Sequence, residues 1–259
     1  MTQAAASASA EPILRLRGIG RRYGGLHAVR DVDLDVADGE RRAILGPNGA
    51  GKTTLFNVIS GDVAATAGAI QFLGADVSTL PPRARTKLGM GRTYQKSRSF
   101  LGLSVEDNIY LALLGVRSGH FRPLKLRRRD GELRARAVEL ARTVGLGNRC
   151  RSLVGLLSHG EQRQLEVAMA RASNPRLMML DEPASGLSRG ERVALTDLLL
   201  SLDPSITLIL IEHDMDVALR VADRVTMMHD GRVIVEGTPD EIRANQTVHD
   251  LYLGRSGGG

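Results

Sequence analysis

The sequence is poor in the residues that cross-link small secreted proteins or that stack on nucleic-acid bases. It has one cysteine, Cys150, and no tryptophan, and aromatic residues make up 3% of its 259 residues. A single cysteine excludes an internal disulfide and is typical of a reducing compartment. The longest apolar run, residues 109–114, is far shorter than the roughly 20 residues that span a bilayer. We therefore expect a soluble intracellular chain without a membrane span.

The two ends of the chain differ in composition from the rest. The first ten residues are rich in alanine and serine, and they lack the charged and apolar regions of a signal peptide. We therefore expect residues 1–11 to form a disordered tail and residues 255–259 to form a flexible one. Between them, residues 12–254 are long enough for a single large α/β domain.

Basic residues are concentrated in one stretch, although the formal net charge is only +6. Five of them fall within eight residues: Arg122, Lys125, Arg127, Arg128 and Arg129. A platform for single-stranded nucleic acid would need aromatic rings among them, and Phe121 is the only one there. We expect no nucleic-acid partner, and the stretch is either a solvated surface or a contact for anionic lipid headgroups.

Short apolar segments alternate with helical patterns at both ends of the chain. The predicted strands are residues 69–73, 177–180, 206–211 and 224–228, with a closing hairpin strand at 233–236. The predicted helices between them are Lys52–Ser60, residues 189–202 and Met215–Val221. This alternation is typical of a parallel sheet covered by helices on both faces.

The N-terminal and middle parts of the chain have different patterns. Strand residues Ile13, Leu14 and Leu16 precede a glycine-rich stretch, and a second strand alternates through Val32 and Leu34. The middle is helical in pattern, with helices predicted at residues 105–115, 131–144 and 160–172. We predict an α/β core over residues 12–100 and 174–254, interrupted by a helical subdomain over residues 101–173.

A glycine-rich segment follows the strand that ends at Leu45. Residues 46–53, Gly-Pro-Asn-Gly-Ala-Gly-Lys-Thr, match the Walker A pattern in full. Its glycines allow backbone N–H groups to point at phosphate oxygens, and the following helix adds a partial positive charge. Lys52 would contact the β- and γ-phosphates, and the Thr53 hydroxyl would bind Mg²⁺. The predicted phosphate-binding residues of ATP are Gly46, Asn48, Gly49, Ala50, Gly51, Lys52, Thr53 and Thr54.

Two carboxylates, Asp181 and Glu182, follow the apolar segment at residues 177–180. Ligands of open α/β sheets bind at the carboxyl ends of the strands. We predict that Asp181 holds Mg²⁺ and that Glu182 is the general base for the attacking water. Strands often end in acids, so this pair is informative only because the Walker A segment accompanies it.

Four further segments resemble motifs of the ATP-binding cassette (ABC) family. Leu-Ser-His-Gly-Glu-Gln at residues 157–162 resembles the LSGGQ signature, and Ile-Glu-His-Asp at residues 211–214 resembles the switch-histidine segment. Gln95 falls at the position of the Q-loop glutamine, and Tyr23 at that of an aromatic ring that stacks on adenine. Together with the two motifs above, six motifs occur in the family's order between about residues 13 and 254.

This resemblance implies a fold and a shared catalytic site. The fold is a RecA-like P-loop NTPase core with an antiparallel β subdomain and an inserted α-helical subdomain. Gln95 would be a metal ligand that senses the attacking water, and His213 would hydrogen-bond the γ-phosphate. The signature residues would act on the ATP of a second ATP-binding subunit: Ser158, His159, Gly160 and Glu161. Each ATP would therefore lie between two chains, identical or different.

Three residues depart from the family's usual motifs. His159 replaces the first glycine of the signature, and Glu161 replaces its glutamine. Signatures of this LSHGE type are found in importer subunits, so we expect function to be kept. Ser188 occupies the D-loop position at which the family often has an aspartate. The usual aspartate contact across the dimer is therefore not assumed.

The C-terminal segments at residues 236–242 and 248–254 resemble those of branched-chain (hydrophobic) amino acid importers. That resemblance implies two transmembrane permease subunits, a periplasmic or extracellular substrate-binding protein, and a place on the cytoplasmic face of the plasma membrane. Urea and short-amide importers share these segments, and lipid or lipopolysaccharide export uses similar single cassettes. A non-transport ABC ATPase is the remaining alternative, although the chain has neither a tandem cassette nor coiled-coil heptads.

Overall fold

A computed structural model describes residues 11–93, 99–116 and 123–253 of the chain. The strands of the described ranges are β1 (Leu14–Tyr23), β2 (Leu26–Val36), β3 (Arg41–Leu45), β4 (Ala67–Phe72), β5 (Ala75–Asp76), β6 (Met90–Arg92), β7 (Leu177–Asp181), β8 (Thr207–Ile211), β9 (Arg224–His229) and β10 (Arg232–Gly237). The α-helices are α1 (Lys52–Ser60), α2 (Pro82–Lys87), α3 (Val105–Val116), α4 (Pro123–Thr143), α5 (His159–Arg171), α6 (Arg189–Leu200), α7 (Met215–Val221), α8 (Pro239–Ala244) and α9 (Gln246–Leu253).

The first sheet is antiparallel, in the order β2-β1-β4-β5. Sequence reasoning ended the first strand before the glycine-rich stretch, but β1 continues through it to Tyr23. Glycine makes this continuation possible, because Gly18 has φ of 58° and its amide donates to Asp33 Oδ1 at 2.7 Å. The pairing of β1 with β2 shifts register between Leu16 and Ile19, so both side chains stay buried.

The second sheet has the order β10-β9-β3-β8-β7-β6, and only its edge strand β10 is antiparallel. All five residues of β7 and all five of β8 are buried. Alternate residues of β3 face opposite cores, with Ala43 and Leu45 in one apolar cluster and Ile44 in the other. The predicted parallel sheet with two covered faces is therefore confirmed.

The two apolar clusters join this sheet to the remaining elements. One cluster packs α1 and the antiparallel sheet against one face, with Leu14, Phe56 and Phe72 fully or almost fully buried. The other packs α3, α4 and α5 together with the opposite face, including Ile109, Leu140 and Leu165. The helical middle of the chain is thus connected between β6 and β7 and shares a core with the sheet.

The predicted bounds of α1 agree with the structure, whereas the predicted start of α4 does not. Helix α1 has its predicted bounds because Gly61 adopts φ of 82° at its C-terminus. The predicted start of α4 at residue 131 is wrong, since that helix begins at Pro123. Proline is well suited to the first turn because the amide it lacks has no partner there. In the described ranges, no helix is both long and apolar enough to cross a membrane.

Strands β3, β8 and β7 lie next to one another and run in the same direction. Their carboxyl ends therefore meet at one edge of the sheet. The glycine-rich segment follows β3, Glu182 follows β7, and Glu212 and His213 follow β8. Three sequence motifs that are far apart in the chain are brought together by this strand order.

Candidate functional site

The loop between β3 and α1 depends on glycine at two positions. A Cβ atom on Gly46 would lie 2.2 Å from the carbonyl oxygen of Met228, and one on Gly51 would lie 2.3 Å from that of Ala28. Both glycines also have positive φ, 149° and 97°. The loop is further held by the amide of Gly231, which donates to the carbonyl of Ala50 at 3.0 Å. Strand β2 and the β9–β10 turn thus fix the shape of this loop.

Lys52 is folded back over this loop. Its side chain is buried, and Nζ donates to the carbonyl oxygens of Gly46 at 2.6 Å and Pro47 at 3.0 Å. Burial lowers the pKa of Lys52, while the charges of Glu182 and Asp181 oppose that change. The ammonium is therefore held near the acids that follow β7.

A cavity of about 450 Å³ opens over the loop. Residues 48–54 line it, together with Glu182, Asp230 and residues at the start of β2. Seven of the eight predicted phosphate-binding residues therefore face one cavity. The eighth, Gly46, contacts Lys52 through its carbonyl oxygen. Backbone amides at the start of a helix and a nearby ammonium form an environment suited to phosphate groups.

Asp181 lies at the end of β7 and is 2% exposed. Its Oδ2 is 3.3 Å from Nη2 of Arg92, and burial raises the pKa of this carboxyl while Arg92 opposes the change. Its Oδ1 is buried and has no hydrogen-bond partner among the described residues. An unpartnered buried carboxylate oxygen is unfavourable unless another group, such as a cation, satisfies it.

The oxygen donors at this site are of the kind that Mg²⁺ prefers. No group of three or more His, Cys, Asp or Glu side chains that could hold a metal occurs within residues 11–93, 99–116 and 123–253. Mg²⁺ is commonly bound by one or two carboxylates together with substrate phosphates and water. Asp181 Oδ1 and the cavity-lining Thr53 match that donor set.

Glu182, the residue after Asp181, has a strained backbone conformation. Its φ is 48°, which is uncommon for a residue other than glycine and is found more often at functional sites. Its amide donates to the carbonyl of Ile211 at 2.9 Å, so the end of β8 holds it in place. Its Oε2 lies 3.8 Å from Nδ1 of His213, whose side chain is about half exposed. The structure thus brings these two predicted catalytic residues together.

Glu212 is a buried residue that sequence reasoning missed. It is 0% exposed and accepts hydrogen bonds from the amides of Ala184 at 2.7 Å and His213 at 3.3 Å. Burial raises the pKa of its carboxyl, and these backbone donors oppose the change. It joins the segment after Glu182 to the segment that carries His213. A carboxylate directly after an apolar strand was the available signal.

The signature segment forms the N-terminus of α5. Ser158 is the N-cap, and its hydroxyl accepts from the amide of Glu161 at 3.2 Å. Glu161 returns the contact, since its Oε2 accepts from the amide of Ser158 at 2.9 Å. The glutamate that replaces the usual glutamine therefore completes a capping box. His159 is the first helical residue and is exposed.

The D-loop serine has a similar place at the N-terminus of α6. Ser188 is the N-cap of this helix, and Glu191 completes its capping box. Glu191 also accepts from the amide of Gly160 at 2.9 Å. Serine at this position therefore still caps the helix. The carboxylate of Glu191 lies against the signature glycine, Gly160.

The remaining predicted residues are less closely tied to the cavity. Tyr23 ends β1 with 44% of its surface exposed, and the guanidinium of Arg21 lies 4.4 Å from its ring centroid. It does not line the cavity, whereas Leu26 and His27 do. Gln95 lies outside the described residues. So do Arg122 and the side chains of the basic stretch that follows it.

Comparisons with known proteins agree with this geometry. The sequence matches the family described as ABC transporter over residues 29–185, and the family described as branched-chain amino acid ATP-binding cassette transporter over residues 232–257. It is 35% identical to the high-affinity branched-chain amino acid transport ATP-binding protein LivG of Salmonella typhimurium, covering 95% of this chain and 99% of that protein. It is also 35% identical to the lipopolysaccharide export ATP-binding protein LptB of Escherichia coli, covering 93% and 97%.

Solved structures of ATP-binding cassettes share the fold. One is the ADP conformation of a cassette from an ABC transporter, with a TM-score of 0.83 and 27% identity over 95% of this chain and 100% of that one. Another is a dimeric cassette in a post-hydrolysis state bound to ADP and Pi, with a TM-score of 0.74 and 25% identity over 87% and 98%.

Proposed function

This chain belongs to the ABC transporter family, and from that membership we propose that it is the ATP-hydrolysing subunit of an importer for branched-chain or other hydrophobic amino acids. The match of residues 232–257 to the branched-chain amino acid cassette family supports this choice of substrate. The relatives named for branched-chain amino acid transport support it as well, since the comparison covers 95% of this chain and 99% of each relative.

We propose that the glycine loop binds the phosphates of ATP. Residues 48–54 line the cavity, and the side chain of Lys52 is buried at the same loop. In the ATP-bound state Lys52 exchanges its two carbonyl contacts for the β- and γ-phosphate oxygens, which are stronger acceptors because they are charged. Gly46 and Gly51 keep the backbone close enough for this contact.

The metal site consists of Thr53, Asp181 and Gln95 in this proposal. The orphaned Oδ1 of Asp181 is the observation that favours a cation. Mg²⁺ bound there would neutralise charge on the phosphates during hydrolysis. Arg92 donates to the other oxygen of Asp181 at 3.3 Å, which leaves Oδ1 as the oxygen proposed to bind the cation.

Glu182 is the proposed general base. It takes a proton from the water whose oxygen attacks the γ-phosphorus, and the bond from that phosphorus to the bridging oxygen breaks to give ADP and phosphate. His213 is close enough to Glu182 to orient the same water or to hydrogen-bond the γ-phosphate. Glu212 positions both segments through backbone amides.

The ATP site is proposed to be completed by a second ATP-binding subunit. None of residues 158–161 lines the cavity over the glycine loop, and in this proposal the signature of one chain contacts the ATP of the other. Dimeric cassettes with the same fold support this arrangement. If the chain pairs with itself, its specific ATPase activity should rise with protein concentration. A specific activity that stays flat over a wide dilution series would contradict self-pairing.

The complex would further contain two transmembrane permease subunits and a periplasmic or extracellular substrate-binding protein, with this chain on the cytoplasmic face. The test is reconstitution of the copurified complex in lipid vesicles, followed by ATPase measurements with individual ligands. Leucine, isoleucine or valine should stimulate hydrolysis when the binding protein is present. If only urea or short amides stimulate hydrolysis, the proposed substrate is wrong and one of these compounds takes its place.

Lipid or lipopolysaccharide export is the second candidate, because the lipopolysaccharide export protein is as similar in identity as the importer relatives. The two functions predict different partners. An importer complex copurifies with a soluble substrate-binding protein, whereas an exporter is stimulated by its lipid and needs no such protein. The import proposal fails if lipid is the only ligand that raises hydrolysis.

A further inference from the structure

The carboxylate of Glu191 lies between the N-termini of α5 and α6. Its Oε1 accepts from the amide of Gly160 at 2.9 Å. Its Oε2 accepts from the amide of Ser188 at 3.0 Å and from the hydroxyl of Ser188 at 2.8 Å. One side chain therefore links the signature helix to the segment that follows the acids of β7.

The contact between Gly160 and Glu191 is close, and the hydrogen bonds around Glu191 strongly favour its charged carboxylate form. A Cβ atom on Gly160 would lie 2.8 Å from Cγ of Glu191, so only glycine permits this approach without a shift. Hydrogen bonds from the Gly160 amide, then from the amide and hydroxyl of Ser188 and the side chain of Ser158, lower the pKa of Glu191 to about 2. The group is thus an anion at neutral pH.

The Ser158 hydroxyl and the Gly160 amide also have a second proposed acceptor, the γ-phosphate of ATP. In the shared ATP site, the Ser158 hydroxyl and the Gly160 amide would contact the γ-phosphate on the partner chain. The Gly160 amide has a single hydrogen, and in this structure it is directed at Glu191. A carboxylate beside these donors would also repel a phosphate that approached them. Glu191 and the γ-phosphate therefore compete for one anion position.

We propose that Glu191 is a positioning residue of the shared ATP site, which holds the signature donors in the separate chain and releases them to the partner's γ-phosphate on pairing. The inference rests on the proposed shared site. It makes Glu191 a competitor of ATP-dependent pairing, so removal of its carboxylate tightens pairing. A purely structural role has the opposite sign, because loss of a helix cap would displace the signature and weaken pairing.

The experiment uses the hydrolysis-deficient Glu182→Gln protein as its parent. Glu191→Ala and Glu191→Gln are each added to it, and sedimentation velocity in saturating ATP gives the protein concentration at half-maximal pairing. The matched control is Glu241→Ala, because Glu241 has the same capping-box position in α8 and accepts from the amide of Thr238 at 2.7 Å. Thermal melting of each variant verifies that it is folded.

We expect Glu191→Ala to pair at a protein concentration at least about tenfold lower than the parent, since a charge-assisted contact no longer has to break. Glu191→Gln keeps an acceptor without the charge and should lie between the two. Glu241→Ala should pair like the parent. If the parent stays monomeric in ATP, the same comparison is made with the second ATP-binding subunit that copurifies with this chain.

The outcomes separate the inference from the proposed function. A parent that forms no pair in ATP, with itself or with a second subunit, would refute the shared site and the inference with it. A parent that pairs while folded Glu191→Ala pairs equally well, or more weakly, would refute the inference alone. In that case the Gly160 amide stays with Glu191 in the pair.

Discussion

Replacing Glu182 with glutamine tests the proposed base with the smallest change of shape. Glutamine has the same length and keeps an oxygen acceptor, but it cannot take a proton from water. The backbone at this position is held by the bond from its amide to the carbonyl of Ile211, which the substitution leaves intact. The unusual φ of 48° should therefore persist in the variant.

The expected magnitude follows from what is lost. A positioned general base contributes about 10²–10⁴ in rate. At about 1.4 kcal/mol for each factor of ten, this corresponds to roughly 3–6 kcal/mol of transition-state stabilisation. Nucleotide affinity should be unchanged or slightly higher, because a negative charge near the phosphates is removed while Lys52 and the glycine loop are retained.

Two assays on the same protein separate the chemical step from binding. Fluorescent-nucleotide titration gives the affinity, and single-turnover phosphate release gives the hydrolysis rate. The control is Glu132→Gln, since Glu132 is exposed on α4. Hydrolysis by Glu182→Gln within a few-fold of the wild type would refute the assignment. If His213→Ala then abolished hydrolysis, the neighbouring histidine, 3.8 Å from Glu182, would be the base instead.

Three further predictions concern binding and stability. Lys52→Ala should weaken ATP binding by roughly ten- to a hundredfold, because a charge-assisted contact is lost, and unchanged affinity in nucleotide titration would contradict the assignment of the loop. Tyr23→Phe should bind ATP almost normally and Tyr23→Ala should lose about 1–3 kcal/mol, with the purine on the ring face that Arg21 leaves open; an alanine variant with wild-type affinity would exclude stacking. Glu191 has a pKa of about 2 in the folded chain against 4.5 for a free glutamate, so its stabilisation is complete above about pH 4.5 and is lost as the pH falls toward 2. Thermal melting between about pH 6 and pH 3 should therefore show a larger loss of Tm for the wild type than for Glu191→Gln, and equal losses would contradict this linkage.

Local sequence patterns were sufficient where a single residue type decides the backbone. The backbone conformation depends on residues close in sequence at three places. These are the glycine turn after α1, the apolar runs of β7 and β8, and the loop at residues 46–53. The predicted bounds of α1 agree with the structure for this reason. Those of α7 agree as well, since Asp214 caps the start of that helix by accepting from the amides of Asp216 and Val217. The start of α4 was not predicted, since Pro123 lies among basic residues with no apolar periodicity.

Other features of the site depend on residues that are distant in sequence. The role of Glu212 in joining two segments follows from its burial and from the amide of Ala184, 28 positions away. The contact of Glu191 with Gly160 spans 31 positions. Glu212 lies within the switch-histidine segment, but the segment does not show which amides its carboxylate accepts from. Glu191 belongs to no motif with a recognisable spacing, so a pattern search along the chain passes over it.

The sequence by itself was enough to predict the chemistry of this protein from a phosphate-loop pattern, two carboxylates after an apolar strand, and the signature of a cassette ATPase. These follow from residue types at fixed short spacings, because backbone geometry and ligand chemistry act over a few residues. The tertiary structure decided which groups meet. The order of β3, β8 and β7 brings Lys52, Glu182 and His213 to one edge, and the packing of α5 beside α6 gives the signature amide an internal anion. Such contacts depend on the whole core, since strand order and helix packing are set by burial summed over many distant residues.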